Sequence, residues 1–329
     1  MNGFSPIPVP RGAAIWQEVT RFMDVVLHLG AHRTATARFQ EYLRRHARPL
    51  ADAKMGVWGP RRAHAGLYKH ALQNDGLFAT MSQRVNRRLE RAHRFGLSQM
   101  VISDANLIGS VGDNIRACAL YPDAGARIRQ FAGVFGQQVT RVLICPRSLE
   151  LYWCSALARA VHTGLPVPER SALRRIAMAR RGWRDVITDI ANALPGVSIT
   201  VLPFERYAGA PHALARQGLG IDLPAADTQA LRNQTPTLPE LRRALNANGT
   251  QGSVLPFGMG RWNPFLNDEH AALRELYADD LMWLAAGADG LATQAENRLQ
   301  NEAGTTSPLQ TKSKGRCDEL QERQLARPR

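Results

Sequence analysis

Lysine is almost missing from this chain of 329 residues. Only four of its 42 basic residues are lysines, so arginine supplies the remaining 38. The formal net charge of +14 favours an anionic ligand or an acidic acceptor as partner. The arginines are scattered through predicted helices, which is more typical of solvated helix faces than of a specific nucleic-acid site.

Cysteine is also scarce, and long apolar runs are absent. The four cysteines show no C-x-x-C spacing, so neither a disulfide framework nor a zinc site is predicted. No stretch approaches the roughly 20 apolar residues of a transmembrane helix, and the N-terminus lacks the apolar region of a signal peptide. We therefore expect a cytoplasmic protein with no transmembrane segment; its oligomeric state stays open.

Short apolar runs alternate with helical patterns along the chain. The runs are rich in Val, Ile and Leu, do not alternate with polar residues, and predict buried strands at 24–29, 56–58, 99–103, 141–145 and 198–203. Helices are predicted at 35–48, 81–95, 125–135, 150–161, 183–194 and 268–285. The order predicts an α/β fold, a three-layer, doubly wound parallel sheet flanked by helices.

The composition also suggests how the chain is divided. Residues 1–23 form a Pro-rich lead with a short possible helix at 15–22, and residues 24–292 are predicted to form one α/β domain. In the last predicted helix an apolar stripe at helical spacing indicates core packing; its members are Leu273, Leu276, Tyr277, Leu281 and Leu284. Residues 293–329 are polar and are predicted to be a disordered tail.

The most informative segment is HLGAHRTATARFQ, residues 28–40, which follows the first predicted strand. A turn of small residues entering a helix aims backbone N–H groups at one point, which favours an anion. Arg33 adds a cation, and Thr34 and Thr36 add hydroxyl donors. An ordinary turn with a threonine N-cap has the same local pattern. The Walker A motif is absent, although Asp104, after the third predicted strand, could serve a kinase as a Mg²⁺ ligand.

This segment resembles the 5′-phosphosulfate-binding loop of bacterial sulfotransferases of the P-loop superfamily, whose usual form is H-[IL]-G-x-x-K-[ST]-G-T-T-x-x-Q. In that family a later strand ends in an arginine, and a serine follows eight positions on. Here RVLICPRSLELYWCSAL supplies Arg147 and Ser155 at this spacing. The similarity extends more diffusely from about residue 24 to residue 292.

The resemblance implies a P-loop-like sulfotransferase architecture and 3′-phosphoadenosine 5′-phosphosulfate (PAPS) as co-substrate, with no metal required. It implies transfer of a sulfonate group to a hydroxyl or amine of a saccharide, lipid or small metabolite, possibly an anionic one. Arg147 and Ser155 would hold the 3′-phosphate, and Arg261, in a late glycine-containing loop, could close over it. The implied loop residues are Gly30, His32, Arg33, Thr34, Ala35, Thr36 and Ala37.

The sequence departs from the family pattern at several of these positions. Arg33 stands where the family has the lysine that stabilises the leaving oxygen, Ala35 replaces a glycine, and Ala37 replaces a threonine. A family glutamate corresponds to Ala105, so neighbouring Asp104 is our candidate general base. The other candidates for accepting a proton are His28, His32 and Glu205.

These departures keep other functions open. One is a sulfotransferase-fold protein that has lost catalysis and binds a nucleotide or polyanion. Another is a small-molecule kinase, which predicts Mg²⁺-dependent binding of ATP.

Overall fold

The computed structural model describes residues 21–60, 75–225 and 234–295. Within them, six strands form one all-parallel sheet in the order β2-β3-β1-β4-β5-β6. The strands are β1 (Asp24–Gly30), β2 (Met55–Trp58), β3 (Gln99–Ser103), β4 (Val139–Ile144), β5 (Ser198–Val201) and β6 (Thr293–Gln294). The predicted α/β class and parallel sheet are confirmed.

The helices number twelve among the described residues, apart from short 3₁₀ turns. They are α1 (Thr36–Arg45), α2 (Ala47–Asp52), α3 (Asp75–Arg94), α4 (Val111–Ala117), α5 (Ala124–Gly133), α6 (Leu149–His162), α7 (Arg170–Ala177), α8 (Trp183–Ala193), α9 (Phe204–Tyr207), α10 (Pro211–Leu219), α11 (Leu238–Ala247) and α12 (Asn267–Ala285). Among the described residues, none of the helices combines the length and apolar character needed to cross a membrane.

Both faces of the sheet are covered because the central strands are apolar on both sides. Val25 and Leu27 of β1 face one buried cluster, which includes side chains of α3, α5, α6, α8 and α12. Val26 faces a second cluster, which includes side chains of α1, α2 and α10. The apolar runs that do not alternate with polar residues predicted a sheet covered on both faces, and this prediction was correct.

The connections after the central strands leave toward opposite faces. β1 continues into α1, which packs in the second cluster, whereas β4 continues into α6, which packs in the first. The 3₁₀ turn that follows β3 also contributes its apolar side chains to the first cluster. In an open parallel sheet such a reversal of direction opens a crevice at the carboxyl ends of the strands, which is where ligands bind.

Several predicted boundaries were wrong. The helix expected at 35–48 ends at Arg45, because the backbone breaks at His46 (φ −99°, ψ 28°) before α2 begins. Residues 293–295, expected to belong to the tail, are part of the sheet instead, since β6 pairs with Thr200 and Val201 of β5 and Ala295 is buried. The short helix expected at 15–22 lies almost entirely outside the described residues, as does nearly all of the tail.

Some elements were not predicted at all: α2 as a separate helix, α4, α7, α9, α10, α11 and β6. The apolar stripe of α12 was correct, because Leu273, Tyr277 and Leu284 are buried and its other two members are partly buried in the same cluster.

Candidate anion-binding site

Three strand ends meet at the centre of the sheet. β1 lies between β3 and β4, so the loops that follow these strands are neighbours. The amide of Cys145 donates to the carbonyl of Gly30, and the amide of Asp104 donates to the carbonyl of His28 at 3.0 Å. The two segments that the sequence analysis singled out, residues 28–40 and the stretch after β4, are therefore adjacent in space.

The turn from β1 into α1 is built from left-handed backbone. Gly30, Arg33 and Ala35 have φ angles of 80°, 63° and 59°. At Gly30 a side chain is also excluded sterically, because a Cβ atom would lie 2.7 Å from Oγ1 of Thr36. Ala35, where the family has glycine, thus keeps a conformation that is costly for alanine.

The N-cap of α1 is Ala35, and the alternative of a threonine N-cap is therefore wrong. An alanine side chain cannot accept a hydrogen bond, so the cap residue leaves the first-turn N–H groups of α1 without a side-chain acceptor. Ala37 lies within this first turn and is half-buried. The helix entrance retains the partial positive charge expected of an anion site.

The threonine hydroxyls of the turn point inward. Oγ1 of Thr34 and Oγ1 of Thr36 both donate to the carbonyl of Ala31, at 2.7 and 2.8 Å, and lie 3.4 Å from each other. The hydroxyls predicted to donate to a phosphate are thus engaged with the backbone of their own turn in this conformation.

The side chain of Arg33 leaves the turn and reaches α6. Its Nε atom donates to Oγ of Ser155 at 2.8 Å, and Oγ of Ser155 lies 2.7 Å from Oγ1 of Thr235. The structure therefore joins the predicted cation of the turn directly to the predicted serine of the second motif, and adds a third residue, Thr235, that was not predicted.

Arg147 lies beneath the same turn. Its Nη1 atom donates to the carbonyl of Arg33 at 2.7 Å, and its guanidinium carbon sits 4.6 Å from the ring centroid of Phe204. The residue is 8% exposed, and its buried Nε atom has no hydrogen-bond partner among the described residues. A buried N–H donor without a partner is rare in proteins, and this one can take a water molecule, an ion or a ligand as its partner.

Positive charge accumulates around this point. Burial, together with repulsion from Arg147, Arg159 and Arg261, lowers the pKa of Arg33 to about 10. Burial also lowers the pKa of Arg147; attraction to Glu205 is the larger opposing effect, and repulsion from Arg261 is smaller. Three other guanidinium groups thus repel that of Arg33, and a bound anion would stabilise its charge.

Glu205 has a structural role here. Its Oε1 atom accepts from the amide of Ser148 at 2.8 Å, and its Oε2 atom accepts from the hydroxyl of Tyr277 at 2.9 Å. Both carboxylate oxygens are therefore engaged in joining the β4 end to α12, away from any proton transfer.

His32 and Asp104, two candidates for the general base, belong to one hydrogen-bond chain. Nδ1 of His32 contacts the Tyr121 hydroxyl at 2.8 Å, and Nε2 contacts Oδ1 of Asn106 at 3.1 Å. Nδ2 and the amide of Asn106 both donate to Oδ1 of Asp104 at 2.9 Å. Asp104 is buried and caps the 3₁₀ turn Ala105–Ile108. Burial lowers the pKa of His32, which keeps its ring neutral at pH 7.

His28 is not part of this chain. Its ring is buried in the sheet, its Nδ1 atom lies 2.7 Å from Oγ of Ser103, and Phe39 packs against it edge-on. Burial lowers its pKa to about 4. The ring therefore serves as a neutral core residue.

Arg261, predicted to cover the site, lies on an exposed loop. Its backbone forms an isolated antiparallel bridge with Thr237, two residues after Thr235. The loop thus borders the arginine cluster. Among the described residues, no hydrogen bond joins Arg261 to Arg33 or Arg147.

Sequence analysis missed Arg159 and Thr235. Arg159 follows Ser155 by four positions in α6, so helical spacing could have placed both on one face. No local signal identifies Thr235, because its proximity to Ser155 comes from the packing of a segment 80 residues away.

A narrow crevice opens beside the turn, between α1 and the segment 204–214. Its lining includes Ala35, Cys145, Phe204 and Tyr207, and its volume of about 10 Å³ is close to that of one water molecule. No protein-family model matches the chain, and no curated protein matches its sequence significantly.

Proposed function

We propose that this protein is a sulfotransferase that binds PAPS at the ends of β1 and β4 and transfers its sulfonate group to a hydroxyl or amine. The observation that supports the proposal is the meeting of two motifs that the sequence analysis identified separately. Arg33 contacts Ser155, and Arg147 contacts the backbone of Arg33, across separations of 122 and 114 residues.

The charges of the site suit a nucleotide with phosphate groups at two positions. Arg147 is buried with a donor that has no partner among the described residues, and a phosphate oxygen would supply an acceptor. Arg147, Arg159 and Arg261 all repel the guanidinium of Arg33, and an anion bound there would offset this repulsion.

The proposed roles follow from the positions of the residues. PAPS would supply an activated sulfonate, whose departure leaves negative charge on the nucleotide. Arg33 and the N–H groups at the start of α1 would stabilise that charge, so positioning and electrostatics would dominate catalysis. Arg147 and Ser155 would hold the 3′-phosphate, and Asp104, coupled through Asn106 to His32, would take the acceptor's proton.

A second candidate function is binding of a nucleotide or polyanion without turnover. Two observations favour it: Ala37 lacks the hydroxyl found in the family, and the hydroxyls of Thr34 and Thr36 both donate to Ala31. Contact with a phosphate would require these hydroxyls to rotate. The small-molecule kinase is the third candidate.

Calorimetry with 3′,5′-bisphosphoadenosine, ADP and ATP, each with and without Mg²⁺, separates the kinase from the other two candidates. The proposal expects the bisphosphate to bind most tightly and without Mg²⁺. Tighter binding of ATP that depends on Mg²⁺ would instead identify a kinase. If none of the nucleotides binds, the nucleotide site is wrong.

The variant Arg147→Lys tests the position of the site. Lysine keeps the positive charge but cannot donate from two points of a planar group, so bisphosphate affinity should fall by about 1.5–3 kcal/mol, the usual worth of a hydrogen bond to a charged group. Arg88→Lys, on the exposed face of α3, is the matched control. Transfer of labelled sulfonate from PAPS to a panel of acceptors then distinguishes an active enzyme from a binding protein.

A further inference from the structure

The loop between α11 and α12 carries an exposed apolar tip. Val254, Phe257 and Met259 are 57%, 93% and 79% exposed, although they lie within six residues of one another. Neighbouring Leu255 is buried and anchors the loop to the core. A group of exposed large apolar side chains on one short segment indicates a contact surface, whereas scattered single ones do not.

The stem of this loop is held in place by hydrogen bonds. The guanidinium of Arg242 donates to the carbonyls of Pro256 and Gly258, on either side of Phe257. The amide of Leu238 donates to the carbonyl of Gly260 at 2.8 Å, and the amide of Gly252 donates to Asn246 at 2.7 Å. The apolar side chains therefore project from a braced stem, so little conformational freedom would be lost on docking.

The surroundings of the tip are positively charged. Between residues 234 and 267 the chain has three arginines, Arg242, Arg243 and Arg261, and one acidic residue, Glu240. The carboxylate of Glu240 accepts from both the amide and the hydroxyl of Thr237. The guanidinium of Arg242 lies 5.8 Å from the Phe257 ring centroid, and Arg261 follows Met259 by two residues, so positive charge adjoins the tip and is suited to phosphate groups.

We propose that the segment 252–261 docks on an anionic lipid bilayer. Phe257 and Met259 would enter the interface, while the arginines contact lipid phosphates, the combination by which proteins bind membranes peripherally. A protein partner fits less well: at about 200 Å² per side chain, three side chains fall short of the roughly 800 Å² per partner of a stable protein interface.

The docking loop also adjoins the arginine cluster, through the bridge between Arg261 and Thr237 and the contact of Thr235 with Ser155. Docking would bring the candidate site close to the membrane surface. An acceptor carried by the membrane is the substrate class that follows, and this consequence alone rests on the proposed function.

Co-sedimentation of the full chain with lipid vesicles tests the docking loop without any nucleotide. Vesicles of phosphatidylcholine with phosphatidylglycerol should bind the protein, added salt should weaken binding, and phosphatidylcholine alone should bind it weakly. The double variant Phe257→Ser/Met259→Ser should lower binding on the order of tenfold or more. If the double variant does not fold, the single variant Phe257→Ser replaces it in this test.

The chain offers a matched control in Phe95. This side chain is 76% exposed, and Arg91 lies 5.8 Å from its ring centroid, the same distance that separates Arg242 from Phe257. It lies just before β3, at the amino end of that strand, whereas the candidate site lies at the carboxyl ends of the strands. Phe95→Ser should leave vesicle binding unchanged.

Three results would overturn the proposal. The first is vesicle binding that the double variant retains, and the second is an equal loss in Phe95→Ser. The third is that the wild type does not bind vesicles but self-associates in sedimentation velocity, and that the double variant abolishes this self-association. A second copy of the chain would then occupy the loop. A nucleotide titration that fails while vesicle binding succeeds would overturn the proposed function and leave the docking loop standing.

Discussion

The Nε atom of Arg33 donates a 2.8 Å hydrogen bond to the hydroxyl of Ser155, although the two residues are 122 positions apart in the chain. The bond joins the end of β1 to the second turn of α6, and Thr235 completes it from a third segment. The half-buried guanidinium of Arg33 is therefore held at a defined point in the crevice. Four predictions test this arrangement and the groups around it.

Replacing Ser155 by alanine should destabilise the fold. The Nε donor of Arg33 and the hydroxyl of Thr235 both lose a partner, and leaving a buried polar group unsatisfied costs about 1–3 kcal/mol. Urea denaturation measures the loss. Ser171→Ala, at an exposed position of α7, controls for the gain in helix propensity. Equal stabilities for the two variants would mean that the Arg33–Ser155 bond contributes nothing.

Replacing Ala35 by glycine should stabilise the protein. At φ 59° an alanine costs roughly 1–2 kcal/mol more than in a right-handed helix, and glycine avoids much of this cost. The matched variant is Ala37→Gly two residues on, where the backbone is helical and glycine should destabilise by about 0.5–1 kcal/mol. Thermal or urea unfolding of both variants should give opposite signs. A loss of stability in both would contradict the left-handed turn.

Acid should destabilise the fold through His28. Its pKa is lowered from 6.5 to about 4 by burial, so the folded state favours the neutral ring. The contribution of His28 to the free energy of unfolding is complete above pH 6.5. It is lost as the pH falls toward 4, because the unfolded chain binds the proton at a higher pH than the folded one. The difference corresponds to about 3 kcal/mol.

The measurement for His28 is the free energy of unfolding across this pH range, in the wild type and in His28→Gln. The variant should show a shallower decrease with falling pH, whatever its absolute stability. His93→Gln, at an exposed position, controls for the loss of a histidine as such. If His28→Gln and the wild type decrease in parallel, the buried ring is not the group that responds.

Replacing Asp104 by asparagine should abolish most sulfonate transfer while the fold is kept. Asparagine caps a turn as well as aspartate and still offers Oδ1 to Asn106, but it accepts no proton at neutral pH. Transfer to an acceptor found with labelled PAPS should fall by roughly 10²–10⁴, the usual worth of a general base, with bisphosphate affinity unchanged. A loss of only a few-fold would move the role to another group, and His32→Gln is the next variant.

The strands were predicted well because their signal is local. β3 was predicted with both of its boundaries, and β1 with an error of one residue, since uninterrupted Val, Ile and Leu runs are typical of strands buried on both faces. β6 was missed because two residues, Thr293 and Gln294, carry no pattern of their own. They become a strand only by pairing with β5.

The site was predicted only in part, because some of its features have a local sequence signal and others do not. A strand followed by small residues and a cation identified the turn at Arg33, and spacing identified Arg147 with Ser155. The inward hydroxyls of Thr34 and Thr36, the participation of Thr235 and the coupling of His32 to Asp104 follow from packing between distant segments. None of these has a local sequence signal.

The amino-acid sequence by itself determined the alternation of strands and helices and the chemistry at each strand end, because both depend on neighbouring residues. Only the tertiary structure decided which strand ends are neighbours and how many arginines converge there. It also decided which apolar residues project from the surface, since Phe257 and Leu255 are both large apolar residues of one loop, yet Phe257 is exposed and Leu255 is buried. Strand order and burial depend on contacts between residues far apart in the chain, and these form only when the whole sheet is assembled.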